Sequence, residues 1–132
     1  MANRSSRRKP CILIADDDPD IRESTRDVIA SRQCVAVTAA SGLEPLDILD
    51  HRHVDAALCD LVMSGMDGAG TLREIRHRVP ALPVIMMSAM MTDDLRQHLC
   101  HIGAQTCLAK PMDRKELARA LSPWCVPAVR ES

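Results

Sequence analysis

The stretch Cys11-Ile-Leu-Ile-Ala-Asp-Asp-Asp-Pro-Asp-Ile-Arg-Glu23 changes character twice. Its first five residues are a short apolar run of the kind that forms a strand buried on both faces. Three aspartates then stop the apolar pattern. Pro19 follows, suited to the first turn of a helix, with Asp18 placed to cap it. Ile21, Val28 and Ile29 fall on one helical face beyond it. A fully apolar strand running through a polar turn into an amphipathic helix is the opening unit of a parallel sheet covered by helices.

The rest of the chain repeats this unit. Further strands are predicted at Val35 to Ala39, Ala56 to Asp60, Pro83 to Ser88 and Thr106 to Ala109, each short enough to be a buried strand. A second helix runs from about Gly42 to His51, capped by Ser41, with Leu43, Leu46 and Leu49 inward. The third carries Leu72, Ile75 and Val79 at helical spacing and stops before Pro80. The fourth is capped by Thr92, buries Leu95, Leu99 and Ile102, and ends at Gly103. The fifth opens with Asp113 and Glu116, an acidic variant of the capping box, and buries Leu117 and Leu121. Five strands alternate with five helices, so the fold class is α/β with a parallel sheet. From Pro123 onward a tail is expected.

Composition narrows the function. A chain of 132 residues with 46% hydrophobic and 27% charged residues forms one domain. No apolar run reaches the roughly 18 residues that span a bilayer, and Met1 to Lys9 carries no signal-peptide core. The expectation is a soluble, unexported protein located in the cytoplasm, with no membrane contact. There are 17 basic and 18 acidic residues, and Arg4, Arg7, Arg8 and Lys9 belong to the leader, which leaves 13 against 18, or about −5, on the folded part. That balance argues against a nucleic-acid surface. One Trp and no Phe or Tyr leave little for stacking on bases or flavins. The six cysteines lack regular spacing and read as small buried hydrophobes. A zinc site from His98, Cys100, His101 and Cys107 matches no established ligand spacing.

In an open parallel sheet, ligands bind beyond the carboxyl ends of the strands. Those ends are polar here: Asp16-Asp17-Asp18 after the first strand, Asp60 on the third, Ser88 on the fourth, Lys110-Pro111 after the fifth. Taken singly, each has an ordinary reading as a helix start, a strand-end hydroxyl or a solvated lysine. Together they put several carboxylates on one edge, an arrangement that a divalent cation neutralises. With only oxygen ligands on offer, the ion that fits is Mg²⁺. Metal, ammonium and hydroxyl around a central carboxylate suit phosphoryl transfer to that carboxylate.

Four stretches in this order, Cys11 to Glu23, Asp60-Leu-Val-Met-Ser-Gly-Met-Asp-Gly68, Ile85-Met-Met-Ser-Ala89, and Gly103-Ala104 ahead of Lys110-Pro111, closely resemble the receiver domain of two-component response regulators. The resemblance implies a flavodoxin-like, doubly wound (βα)5 fold with strand order 2-1-3-4-5, the order the family shares with other doubly wound proteins. It implies that Asp60 is the phosphoacceptor, that Asp16 and Asp17 hold Mg²⁺ with Asp17 as direct ligand, and that the Val62 backbone carbonyl completes the metal shell. Ser88 takes the switch-hydroxyl position and Lys110 that of the phosphate-contacting lysine, with Lys110-Pro111 as a cis peptide. Gly68 stands at the family's turn glycine. The implied division is a basic leader at 1–9, a receiver at 10–122 and a tail at 123–132.

The implied phosphodonor is a histidine kinase or histidine phosphotransfer protein. The output is a protein contact through the fourth helix, fifth strand and fifth helix, where Asp94, Arg96, Gln97, Lys115 and Arg119 are expected to be exposed. Such a domain is not an enzyme acting on a separate substrate. A phosphohydrolase would need a second acid where Val62 stands, and a constitutive binding scaffold is the remaining alternative. Three positions depart from the family: Cys107 replaces the usual aromatic, Ser64 a proline and Met112 a phenylalanine. Val62 and Met90 occupy the positions that tune dephosphorylation in the family, and neither side chain can orient a water, which implies a slowly hydrolysing acyl phosphate.

Overall fold

A computed structural model describes residues 9–41, 44–63 and 66–125. Residues 1–8 of the expected leader, Gly42 and Leu43 of the second helix, the departure at Ser64, and residues 126–132 lie outside them. Five strands, β1 (Cys11–Ala15), β2 (Val35–Ala39), β3 (Ala56–Asp60), β4 (Val84–Ser88) and β5 (Thr106–Ala109), alternate with five helices. These are α1 (Pro19–Ala30), α2 (Glu44–His51), α3 (Gly68–Arg78), α4 (Asp93–His101) and α5 (Arg114–Leu121). The strands are parallel and lie in the order β2-β1-β3-β4-β5. The α/β, flavodoxin-like doubly wound fold is therefore the one read from the sequence. Val62–Met63 and Met66–Asp67 add a short antiparallel ribbon after β3 that the hydrophobic pattern did not announce.

Alternation along each strand builds two cores, since successive side chains point to opposite faces. Leu13 and Ala15 of β1 and Met86 of β4 face the layer of α2, α3 and α4, with Leu46, Leu72 and Leu99. Ile12 and Ile14 of β1 and Ile85 and Met87 of β4 face α1 and α5, with Val28, Ile29 and Leu117. Each fully buried aliphatic contributes roughly 1.5–3 kcal/mol of transfer free energy, so these central strands anchor the site that their ends carry. β2 and β5 are less buried than expected because they are edges, each with one strand neighbour: Val35 is exposed and Thr106 and Leu108 are half-buried.

Helix starts follow the capping residues. Asp18 accepts from the Asp20 amide ahead of Pro19 at the first turn, and Thr92 accepts from the Leu95 amide. Asp113 and Glu116 form the reciprocal capping box of α5, a device typically worth about 1 kcal/mol. The fourth strand begins at Val84 rather than Pro83, whose missing N–H suits the position before the ladder. Val79 and Ile102 are half-buried and sit just past the last turns of α3 and α4 rather than inside them.

The cysteine reading needs correction. Cys34 and Cys125 are bonded in a disulfide across 91 residues, and Cys100 is exposed, while Cys11, Cys59 and Cys107 are the small buried thiols expected. Spacing could not reveal the pair, because only the tertiary fold brings the start of β2 beside the end of α5. Beyond α5 the Trp124 and Cys125 amides donate to the Leu121 carbonyl, and both residues pack on the second core. No helix among the described residues is long and apolar enough to cross a membrane.

Candidate functional site

Register places the polar residues together. Asp60 pairs with Met87 across β3 and β4, so Ser88 ends the neighbouring strand one residue further on, and Ser88 pairs with Ala109 just before Lys110. The Leu61 amide donates to the Met87 carbonyl and the Lys110 amide to the Ser88 carbonyl, which ties the ends of β3, β4 and β5 to one another. On the other side of β3, Ala15 pairs with Cys59 and delivers Asp16 beside Asp60.

Lys110 is the hub. Its Nζ lies 2.7 Å from Asp16 Oδ2 and 3.0 Å from Asp60 Oδ2. Asp16 is fully buried and held from two further sides: its Oδ1 accepts from the Asp18 amide at 2.9 Å, and its carbonyl accepts from Arg22 Nη1 at 2.8 Å. Asp60 is 7% exposed, and its Oδ1 accepts from the Val62 amide at 3.3 Å. Asp17 is exposed beside them. Carboxylate oxygens of Asp16, Asp17 and Asp60 lie within 4.8 Å of one another. Among the described residues this is the group of three or more potential ligands that comes together; the histidines and cysteines weighed for zinc do not form one.

The electrostatics follow from three carboxylates meeting one ammonium. Burial pushes the Asp60 carboxyl above its ordinary value; the Lys110 hydrogen bond opposes this, and the Asp16 charge adds to it. For Lys110, burial works downward, but hydrogen bonds to Asp16 and Asp60 and their charges outweigh it and hold the ammonium above its ordinary value. The excess negative charge and the all-oxygen donor set fit a hard divalent cation.

The residues around Asp60 are held by local geometry. Ser88 Oγ accepts from the Met90 amide at 3.0 Å, which leaves its hydroxyl hydrogen available. Lys110-Pro111 is cis. At Gly68 the start of α3 passes so close to the loop after Asp60 that a Cβ would lie 2.4 Å from the Leu61 Cα, so only glycine fits. Val62, after β3, and Met90, after β4, are 72% and 77% exposed.

On the α4-β5-α5 face, Asp94, Gln97, Lys115 and Arg119 are exposed. Arg96 is not exposed as expected: it is half-buried and its Nη1 donates to the Cys107 carbonyl at 2.5 Å. Cys107 itself is buried against the first core. Sequence reading missed the roles of Arg22 and Arg96, since a basic residue on a helix carries no signal of which backbone carbonyl its side chain will reach.

A family model described as the response regulator receiver domain matches residues 12–122. The chain is 35% identical over 117 residues to the DNA-binding transcriptional regulator NtrC of Escherichia coli, with 86% of this chain and 25% of that protein covered. It is 32% identical over 111 residues to the sensor histidine kinase RcsC of the same species, covering 84% of this chain and 12% of that one. The chain thus spans a quarter or less of these relatives' own lengths. Among solved structures, the CheX-CheY complex with BeF3 and Mg²⁺ from Borrelia burgdorferi contains a chain similar at 27% identity and a TM-score of 0.85, with 92% of each chain covered.

Proposed function

Because the chain belongs to the response regulator receiver domain family, we propose that it takes a phosphoryl group onto Asp60 from a phosphohistidine of a histidine kinase or phosphotransfer protein. The observation that carries this reading is the Lys110 ammonium bridging the Asp60 and Asp16 carboxylates at the carboxyl edge of the sheet. An Asp60 oxygen attacks phosphorus, an O–P bond forms, the N–P bond breaks and the imidazole leaves. Lys110 and the Ser88 hydroxyl then compensate the charge of the phosphoryl oxygens.

Asp16, Asp17 and Asp60, together with the Val62 carbonyl, would hold Mg²⁺, with Asp17 the exposed direct ligand and Asp16 already engaged by Lys110. When bound, the ion neutralises the carboxylates and stabilises the charge that builds on the transferred group. The domain catalyses only its own phosphorylation and dephosphorylation, works in the cytoplasm and signals by changed protein contacts through α4, β5 and α5. A phosphorylation-independent scaffold is the second reading, favoured by a single observation: Cys107, where the family carries its switch aromatic, is small and packed inside.

The test is transfer of labelled phosphate from an autophosphorylated histidine kinase. Label on the parent chain and none on Asp60→Asn is expected. Label on both, or on neither with every donor tried, overturns the reading.

A further inference from the structure

At the edge of the sheet opposite Asp60, a cavity of about 330 Å³ opens between the end of α2 and the segment that leads into β4. Leu49, Val54, Val79, Leu82 and Pro83 give it apolar walls, and Arg52, His53 and Ala81 stand exposed around it. Both walls are pinned. On one side the Arg52 amide donates to the Ile48 carbonyl at 3.0 Å and the Asp55 amide to the Cys11 carbonyl at 2.8 Å. On the other the Leu82 amide donates to the Val79 carbonyl at 3.0 Å, and Arg76 Nη1 donates to the Pro80 carbonyl at 2.7 Å. The space is thus preformed, so a ligand entering it does not have to order the chain first.

The charges around this cavity are unequally committed. Asp55 is occupied on both oxygens: Oδ2 accepts from the Cys11 amide at 2.8 Å, and Oδ1 lies 3.0 Å from His53 Nε2. Arg78 meets Asp50 and Glu74, and Arg76 is turned onto the Pro80 and Gly103 carbonyls. The Arg52 guanidinium has no hydrogen bond or ion pair among the described residues. An uncommitted guanidinium beside apolar walls is complementary to an apolar tail that carries an anionic head, and its fork of N–H donors matches a carboxylate. One such cation, with the Asp55 carboxylate alongside, suits a single negative charge better than the nearly double charge of a phosphate monoester.

We propose that this cavity binds a small amphiphilic carboxylate, with its tail among Leu49, Val54, Val79 and Leu82 and its carboxylate on Arg52. At about 30 Å³ for each water-sized group, the cavity holds a molecule of roughly ten non-hydrogen atoms, the size of a medium-chain fatty acid. Burial of the tail supplies most of the affinity, and the guanidinium selects for charge. The site shares no residue with the Asp16, Asp60 and Lys110 cluster, and it rests on none of the phosphoryl chemistry proposed there.

The experiment titrates octanoate, and octanol as its uncharged counterpart, into the isotopically labelled full chain and follows the amide resonances. The expected result is saturable octanoate binding with shifts at Val54 and Leu82, and octanol binding about tenfold weaker. Arg52→Ala brings octanoate down to the affinity of octanol and leaves octanol unchanged. Ala81→Phe, at an exposed lining position, fills the cavity and blocks both. Arg52 and Ala81 are exposed, and circular dichroism matching the parent shows that both variants fold. A folded parent without saturable shifts at Val54 and Leu82 overturns the proposal, as does octanoate binding to Arg52→Ala or to Ala81→Phe as tightly as to the parent.

Discussion

The two ends of the sheet are built from the same kinds of residue and treat them oppositely. At the amino end, polar groups close the chain and are satisfied: Asp55 accepts from the Cys11 amide at 2.8 Å and meets His53 at 3.0 Å, the Val35 amide donates to Pro10, and Cys34 is stapled to Cys125. At the carboxyl end, Asp16 and Asp60 are buried, Asp17 is beside them, and Lys110 is the cation they share. The first arrangement adds stability; in the second, burial raises the Asp60 carboxyl, so keeping that group ionised costs stability in the metal-free protein. A buried carboxylate that is costly to ionise yet is carried by the best-packed strands is where function is to be sought.

The sharpest separation of the two ends comes from removing one group at each. Lys110→Ala should slow phosphoryl uptake by about 10²-fold or more, the usual effect of losing a charge-stabilising donor. Rates followed with a phosphorylated donor check this; an unchanged rate would break the comparison. Cys34→Ser should instead lower unfolding free energy by about 2–4 kcal/mol and leave uptake unchanged, as read by denaturant melts beside the same assay. Val62→Asn sharpens the picture at the rim of the site. Val62 is exposed and apolar, so an amide there should orient water and shorten the acyl phosphate lifetime several-fold; equal decay in both proteins would contradict it.

The smallest effect concerns pH. The folded-state value of Asp60 is raised, so the folded protein holds that proton more tightly than the unfolded chain does. Stability of the metal-free protein is therefore lost as pH rises from the ordinary carboxylate range through the raised value, and stays lost above it. Asp60→Asn should remove that step and raise the neutral-pH melting temperature without Mg²⁺. Lys110, also raised, contributes stability that is present below its ordinary value and lost as pH climbs through the raised one. Thermal melts across pH with a chelator present would show both; a lower melting temperature for Asp60→Asn would reverse the sign argued here.

Much of this was legible in the sequence because it is written in local signals. Apolar runs fixed the five strands to within a residue, and Asp18-Pro19, Thr92 and Asp113/Glu116 marked helix starts by chemistry that acts over a few residues. The site was legible because a parallel sheet gathers strand ends, so Asp16, Asp60, Ser88 and Lys110 needed only the right order along the chain. What stayed hidden depends on long-range contact. The Cys34–Cys125 bond joins segments 91 residues apart, and Arg96 on α4 reaches the Cys107 carbonyl of β5; Arg22 turns back to the Asp16 carbonyl in the turn before its own helix, a side-chain direction that residue spacing does not give. The Val62–Met63 and Met66–Asp67 ribbon is too short for any periodicity to announce.

The most direct test of the central claim is intact-mass analysis of the full chain after incubation with acetyl phosphate and Mg²⁺, beside Asp60→Asn and a chelator control. The account predicts one phosphoryl adduct on the parent, none on the variant and none without metal. An adduct that persists in Asp60→Asn, or a folded parent chain that takes up no phosphoryl group, would contradict it.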